Sequence, residues 1–145
     1  MANQYFAEQV QTARAAAALA AAGAWDAAPT EMACPGFQFV TLYISYTRGA
    51  AGGDMQFRIE ANPDAAAGTW YRGGLYDAGA VASGVESLSN LQRETIEYGS
   101  TGAGAETLIY GPLEIRGGME RLRVPCAESG VVGTPGTVSI EARFW

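Results

Sequence analysis

The longest strand-forming run in this chain is Phe37-Gln38-Phe39-Val40-Thr41-Leu42-Tyr43-Ile44-Ser45-Tyr46, closed by Arg48-Gly49 and then Gly52-Gly53. Residues 39–46 are β-branched, aromatic, Leu or Ser, and a run of that composition between glycines predicts a strand rather than a helix. Alternate residues of a strand share a face, so Val40, Leu42, Ile44 and Tyr46 make one wholly apolar face. Phe39, Thr41, Tyr43 and Ser45 make the other, half aromatic and half hydroxyl. Such a second face predicts a central strand partly covered on that side too, by another layer of its own fold or by another subunit.

The same alternation recurs along the chain. Met55, Phe57 and Ile59 are expected inward and Gln56, Arg58 and Glu60 outward, in a strand ended by Asn62-Pro63-Asp64, since proline cannot donate to a ladder. Leu122, Val124 and Cys126 alternate with Arg121, Arg123 and Pro125. The last strand places Val138, Ile140, Ala142 and Phe144 inward, with Thr137, Ser139, Glu141, Arg143 and Trp145 outward. Less regular strands are expected over residues 30–34, over 69–78 with a bulge at Gly73-Gly74, and over 88–98. Another spans 106–116, where Gly111-Pro112 reads as a bend between half-strands or a sheet edge. Many short strands separated by Gly and Pro predict an all-β fold, an antiparallel β-sandwich of jelly-roll-like form. No internal repeat and no dividing linker stand out.

Residues 1–24 differ. They are Ala-rich, and between Tyr5 and Ala22 there is no Gly or Pro, which by propensity favours helix. Only Tyr5, Phe6, Val10 and Leu19 there offer apolar bulk, so a helix would have no face to bury. The segment is therefore expected to be an N-terminal arm, extended or helical, that adds little to the stability of a β-sandwich domain over residues 25–145. The run from Arg14 to Ala24 imitates a signal peptide, but Glu8 and a mostly polar stretch precede it and alanine is weakly hydrophobic, so a soluble protein made in a cytoplasm is expected.

Charge and composition narrow the chemistry. All 9 basic residues are Arg, with no Lys and no His, against 15 carboxylates and a net charge of −6. The imidazole base, the commonest metal ligand and the Schiff-base amine are therefore missing together. No basic stripe favours nucleic acid or an anionic membrane. Cys34 and Cys126 read as small buried residues rather than a disulfide framework.

Gly99-Ser100-Thr101-Gly102-Ala103-Gly104-Ala105 lacks the Lys and the following helix of a phosphate loop, and reads as a hairpin loop. Glu94, Glu97, Asp54 and Asp64 have nothing in the sequence that pairs them as an acid and base, and no Asp-rich calcium run occurs. No catalytic, cofactor-binding or metal-binding residues are expected. Arg58, Arg121, Arg123 and Arg143 are expected to form cross-strand pairs with Glu60 and Glu141. The aromatic residues Phe39, Tyr43, Trp70, Tyr71, Tyr76 and Trp145 are the candidate contact residues, as interface anchors, as a sugar-stacking platform, or as half-buried sheet residues.

Three segments resemble a known group of proteins: residues 40–53, residues 106–112, and residues 123–136, which contain Arg123-Val124-Pro125-Cys126 and Gly133-Thr134-Pro135-Gly136. They are similar to small β-sandwich virion proteins of tailed bacteriophages, of the head decoration or cement type. The resemblance runs from Val40 to the C-terminus. It implies a structural protein rather than an enzyme, binding the major capsid protein or another virion protein as a small homo-oligomer, with a trimer expected. It also implies a place in the virion, assembled in a host cytoplasm, with a neck or tail component as the alternative. A carbohydrate-binding module using Trp70, Tyr71 or Tyr76 is the rival of another class.

Overall fold

The structure is a computed structural model that describes residues 8–49, 54–66, 68–72, 76–77, 96–98, 104–115, 118–129 and 134–145. Among these the chain is all-β. The strands are β1 (Gln9–Ala18), β2 (Met32–Ala33), β3 (Phe39–Thr47), β4 (Met55–Phe57), β5 (Glu60–Asn62) and β6 (Tyr71–Arg72), followed by β7 (Tyr76–Asp77), β8 (Ile96–Tyr98), β9 (Ala105–Glu114), β10 (Arg121–Arg123), β11 (Cys126–Glu128) and β12 (Thr137–Phe144). A single 3-10 turn at Ala21–Gly23 is the sole helical element among the described residues, and no helix there is long and apolar enough to cross a membrane.

The strands form three antiparallel sheets, in the orders β1-β12-β3-β9-β7, β2-β10-β5-β6 and β11-β4-β8. In the first, β3 is central, hydrogen-bonded to β12 along one edge and to β9 along the other. Its register with β12 sets Val40, Leu42, Ile44 and Tyr46 beside Phe144, Ala142, Ile140 and Val138, and all eight are buried. These side chains join Met32 of β2, Ala61 of β5, Leu122 of β10, Met55 and Phe57 of β4 and Cys126 of β11 in one apolar cluster. The Phe57 ring meets Tyr110 of β9 edge-on at 5.3 Å, a direct contact between the five-stranded and three-stranded sheets.

The strand expected over residues 55–60 is in fact two. Its partner breaks at the same place, because Val124-Pro125 separate β10 from β11. Proline has no N–H to continue the ladder, so only the bond from Arg58 N to Pro125 O at 3.2 Å remains there. The paired segments on either side enter different sheets: β5 with β10, β4 with β11. Residues 69–78 likewise split, β6 pairing with β5 and β7 with β9. The Gly111-Pro112 bend lies inside a continuous β9. Val40 faces Leu113 and Leu42 faces Tyr110, so two residues bulge opposite Thr41. Gly111 has φ 133°, and a Cβ there would sit 3.0 Å from Val40 O, two reasons for glycine. The 88–98 strand is seen as β8 alone, and residues 88–95, 73–75 and 99–103 lie outside the described ones.

The N-terminal segment takes the extended option. β1 pairs with β12 along the sheet edge, with register slips between Thr12 and Arg14 and between Arg14 and Ala17. Ala13 and Leu19 enter the core, and Leu19 N donates to Gly136 O at 2.8 Å. Two residues of modest bulk, rather than a full apolar stripe, seat the strand.

Candidate interaction face

With the even-numbered residues of β3 and β12 buried, their odd-numbered residues point out of the five-stranded sheet. Register then assembles a row from four strands: Thr12, Glu141, Tyr43 and Ile109. Tyr43 is 39% exposed and Ile109 65% exposed. Val10 of β1, opposite Arg143, adds a third exposed apolar side chain at 53%. Between β3 and β9 runs a groove of about 630 Å³ lined by Tyr43, Ser45, Thr107, Ile109 and Glu141.

At one end of this face Phe39 and Trp145 stack, with ring centroids 5.8 Å apart and planes 25° from parallel. Their backbones fix the stack: Phe39 N donates to Trp145 O at 2.9 Å and Trp145 N to Phe39 O at 3.1 Å. The Arg143 guanidinium lies 4.8 Å from the Tyr43 ring centroid, while its Nε donates to Glu141 at 2.8 Å and its Nη1 to Glu8 at 3.2 Å. The hydrogen bond to Glu141 is the main cause that holds this guanidinium above its ordinary pKa. The face is thus an aromatic and aliphatic surface edged by the Arg143 guanidinium and by the carboxylates of Glu8, Glu141 and, opposite Phe39, Glu114. Its chemistry is that of contact: large rings at low entropy cost, beside groups that fix orientation.

The structure therefore stacks Phe39 on Trp145 and sets Tyr43 on the same face, four residues along β3. Tyr76, in β7, lies opposite Glu114, the residue that also faces Phe39. Trp70 and Tyr71 lie elsewhere, on the four-stranded sheet. Val10 and Ile109 escape sequence reasoning because neither β1 nor β9 announces which side faces out; only the pairing to β12 and β3 decides it. Asp54 lies directly before β4 and Asp64 just after β5; Asp54 N donates to Ser129 Oγ and Asp64 N to Asn62 Oδ1. Glu97 lies in β8 opposite Gln56, and Glu94 is outside the described residues. Among the described residues no three His, Cys, Asp or Glu side chains gather as a metal-binding group. Cys34 and Cys126 are free and buried, and burial pushes their thiols up to about 11 and about 12.

The second cluster covers the outer side of the four-stranded sheet, where Arg72, Glu60 and Arg123 stand side by side by register. Glu60 is buried among arginines: Arg123 Nε at 2.7 Å, Arg58 Nε at 3.2 Å and Arg72 Nε at 3.7 Å. The Trp70 ring receives Arg123 at 4.2 Å and Arg121 at 5.2 Å, and Trp25 receives Arg58 at 4.2 Å. Arg121 Nη1 pairs in turn with Glu31. Of the expected cross-strand pairs, Arg123 with Glu60 is present; Arg58 meets Glu60 and Arg143 meets Glu141 from two residues away along the same chain segment, and Arg121 uses Glu31 instead. Comparison with family models, curated proteins and solved structures finds no match for this chain.

Proposed function

We propose that this chain is a virion structural protein, most specifically a head decoration protein that binds the outer capsid surface as a small homo-oligomer. The observation that carries the reading is the outward face of β3, β9 and β12, where Tyr43 and Ile109 lie exposed in a groove and the stacked Phe39 and Trp145 close one end. Contiguous exposed apolar surface with a polar edge is what a protein-docking site requires. The resemblance of residues 40–53, 106–112 and 123–136 to phage head proteins supplies the kind of partner. In this reading the five-stranded sheet is one layer of a jelly-roll-like sandwich and the two smaller sheets are the other, joined through the shared apolar cluster.

The chain is read as a binder rather than a catalyst because its sequence offers neither His nor Lys and its polar clusters are arginine–carboxylate pairs. A neck or tail position differs only in which virion surface is met. A carbohydrate-binding role draws on Tyr71, which is 58% exposed. It is the weaker reading, because Trp70 beside it already carries Arg121 and Arg123 against its ring.

The test is cosedimentation with empty heads assembled from the major capsid protein of the same genome. The wild-type protein is expected to pellet with the heads, and Ile109→Asp to remain in the supernatant with an unchanged circular dichroism spectrum. Wild-type protein that stays unbound, or Ile109→Asp that binds equally, would refute the reading.

A further inference from the structure

We infer that this chain dimerises through the open edge of β1, which pairs antiparallel with the same edge of a second copy about a two-fold axis at Val10. The inference rests on the homo-oligomer of the reading above and supplies its contact, apart from the head-binding face. Among the described residues six strands end the three sheets: β1 and β7, β2 and β6, β11 and β8. Five of them are two or three residues long, whereas β1 has ten. A long edge is a template for another strand unless something blunts it.

Blunting covers only the far half of β1. The register slips between Thr12 and Arg14 and between Arg14 and Ala17, and the Arg14 guanidinium occupies the carbonyls of Ala17 at 2.8 Å and Ala18 at 3.2 Å. From Gln9 to Thr12 the register is unbroken, with no proline and no charged side chain. The ladder decides which backbone groups are open there. Phe39 and Trp145 exchange both bonds, so the odd-numbered residues of β12 bond β3 and the even-numbered ones face β1. The bond from Leu19 N to Gly136 O follows the same alternation. Gln9 and Gln11, opposite Phe144 and Ala142, therefore direct their backbone groups to β12, and Val10 and Thr12 turn theirs to the free edge.

A second copy is the occupant because this edge complements itself. With Val10 facing Val10 across the axis, the two exchange both backbone bonds, and each Glu8 lies opposite the other copy's Thr12. No like charges meet in that register, and Val10, 53% exposed, gains an apolar neighbour. The two five-stranded sheets become one continuous sheet, as in strand addition to an open edge. A contact of this isologous kind closes at two copies, in place of the trimer that the resemblance implies.

The experiment is sedimentation equilibrium of the full chain without heads, from micromolar to near-millimolar concentration, beside residue-resolved amide hydrogen exchange. A reversible monomer–dimer equilibrium is expected. Exchange at Val10 and Thr12 should slow about tenfold or more at the high concentration, with Gln9 and Gln11 protected throughout. Val10→Pro removes only an outward N–H, a change an edge strand tolerates, so it should be monomeric with unaltered melting in dilute solution. Should that variant fail to fold, Val10→Glu takes its place: it faces Arg143 within the chain but its own copy across the axis, and should be monomeric too. Ile109→Asp should dimerise as the wild type does. The inference fails if the wild type stays monomeric or forms trimers, or if exchange at Val10 and Thr12 ignores concentration. It fails equally if the Val10 variant dimerises undiminished or if Ile109→Asp is what breaks the dimer. Head binding is read separately: a dimer that does not pellet with heads refutes the decoration reading alone, and a monomer that does pellet refutes only this inference.

Discussion

Arg14 and Asp26 meet in a two-point ion pair, Nε to Oδ2 at 2.9 Å and Nη2 to Oδ1 at 3.1 Å, that fastens the N-terminal edge strand to the body of the protein. Arg14 also donates to the carbonyls of Ala17, Ala18 and Val138, supplying donors where the β1 register slips. Asp26 Oδ2 accepts in addition from Cys126 N at 3.0 Å. Burial alone would lower the pKa of this guanidinium, but the hydrogen bond and charge of Asp26 outweigh it and the net shift is upward.

Asp26→Ala should therefore lower stability by about 2–3 kcal/mol, since it strands a half-buried guanidinium and removes the acceptor of Cys126 N–H. Urea denaturation would measure the loss. A double-mutant cycle with Arg14→Ala should show coupling of about 1 kcal/mol or more. Additive effects would mean that the two residues act separately.

Deleting residues 2–19 tests whether β1 is an arm or part of the sheet. It removes Ala13 and Leu19 from the core and bares the edge of β12, whose inward side is wholly buried. A bared edge strand invites association. The truncated chain is expected to melt about 10 °C or more below the full chain, or to aggregate, as a loss of several kcal/mol does in a domain of this size. A truncated chain that stays soluble with unchanged melting would show that β1 is dispensable to the fold.

The two faces of β3 should respond differently. Leu42→Ala or Ile44→Ala, at buried positions, should cost about 2–5 kcal/mol. Tyr43→Ala, on the exposed face, should cost about 1 kcal/mol or less and shift self-association or head binding instead. Sedimentation velocity beside thermal melting separates the two effects. Equal destabilisation by Tyr43→Ala and Leu42→Ala would make both faces part of one intramolecular core.

Alkaline pH should unfold the protein earlier than its charge alone would. Burial raises the Cys34 and Cys126 thiols to about 11 and about 12 from an ordinary 9.0, and the Tyr46 hydroxyl to about 12 from 10.0. A group with a raised folded-state pKa keeps its full contribution below its unfolded pKa and loses it as pH rises through the folded value. Stability should thus hold to about pH 9 and fall from there toward pH 12. Tyr46 also donates to Glu128 Oε1 at 3.5 Å, so Tyr46→Phe removes one titrating group and one partner of a buried carboxylate. Melting curves across this range should show a shallower alkaline decline in Tyr46→Phe and in Cys126→Ala. An identical decline in all three proteins would assign it to surface charge.

The sequence by itself determined that this is an all-β chain and which way β3 and β12 face, because a period of two with one fully apolar side is a local property of the residues. Met55, Phe57 and Ile59, and likewise Leu122, Val124 and Cys126, were legible as buried for the same reason, and each is buried. What tertiary structure alone decided was partnership. The 55–60 strand breaks because its partner carries Pro125, a residue distant in sequence. Glu60 alternates outward as expected yet is buried, because three arginines from β10, β6 and the segment before β5 close over it. Phe39 and Trp145 become one stack, and Val10, Tyr43 and Ile109 one face, only through the registers of β1, β12, β3 and β9. Alternation tells a residue which side of its own strand it occupies; which strands meet, and at which rung, depends on long-range pairing that no local pattern encodes.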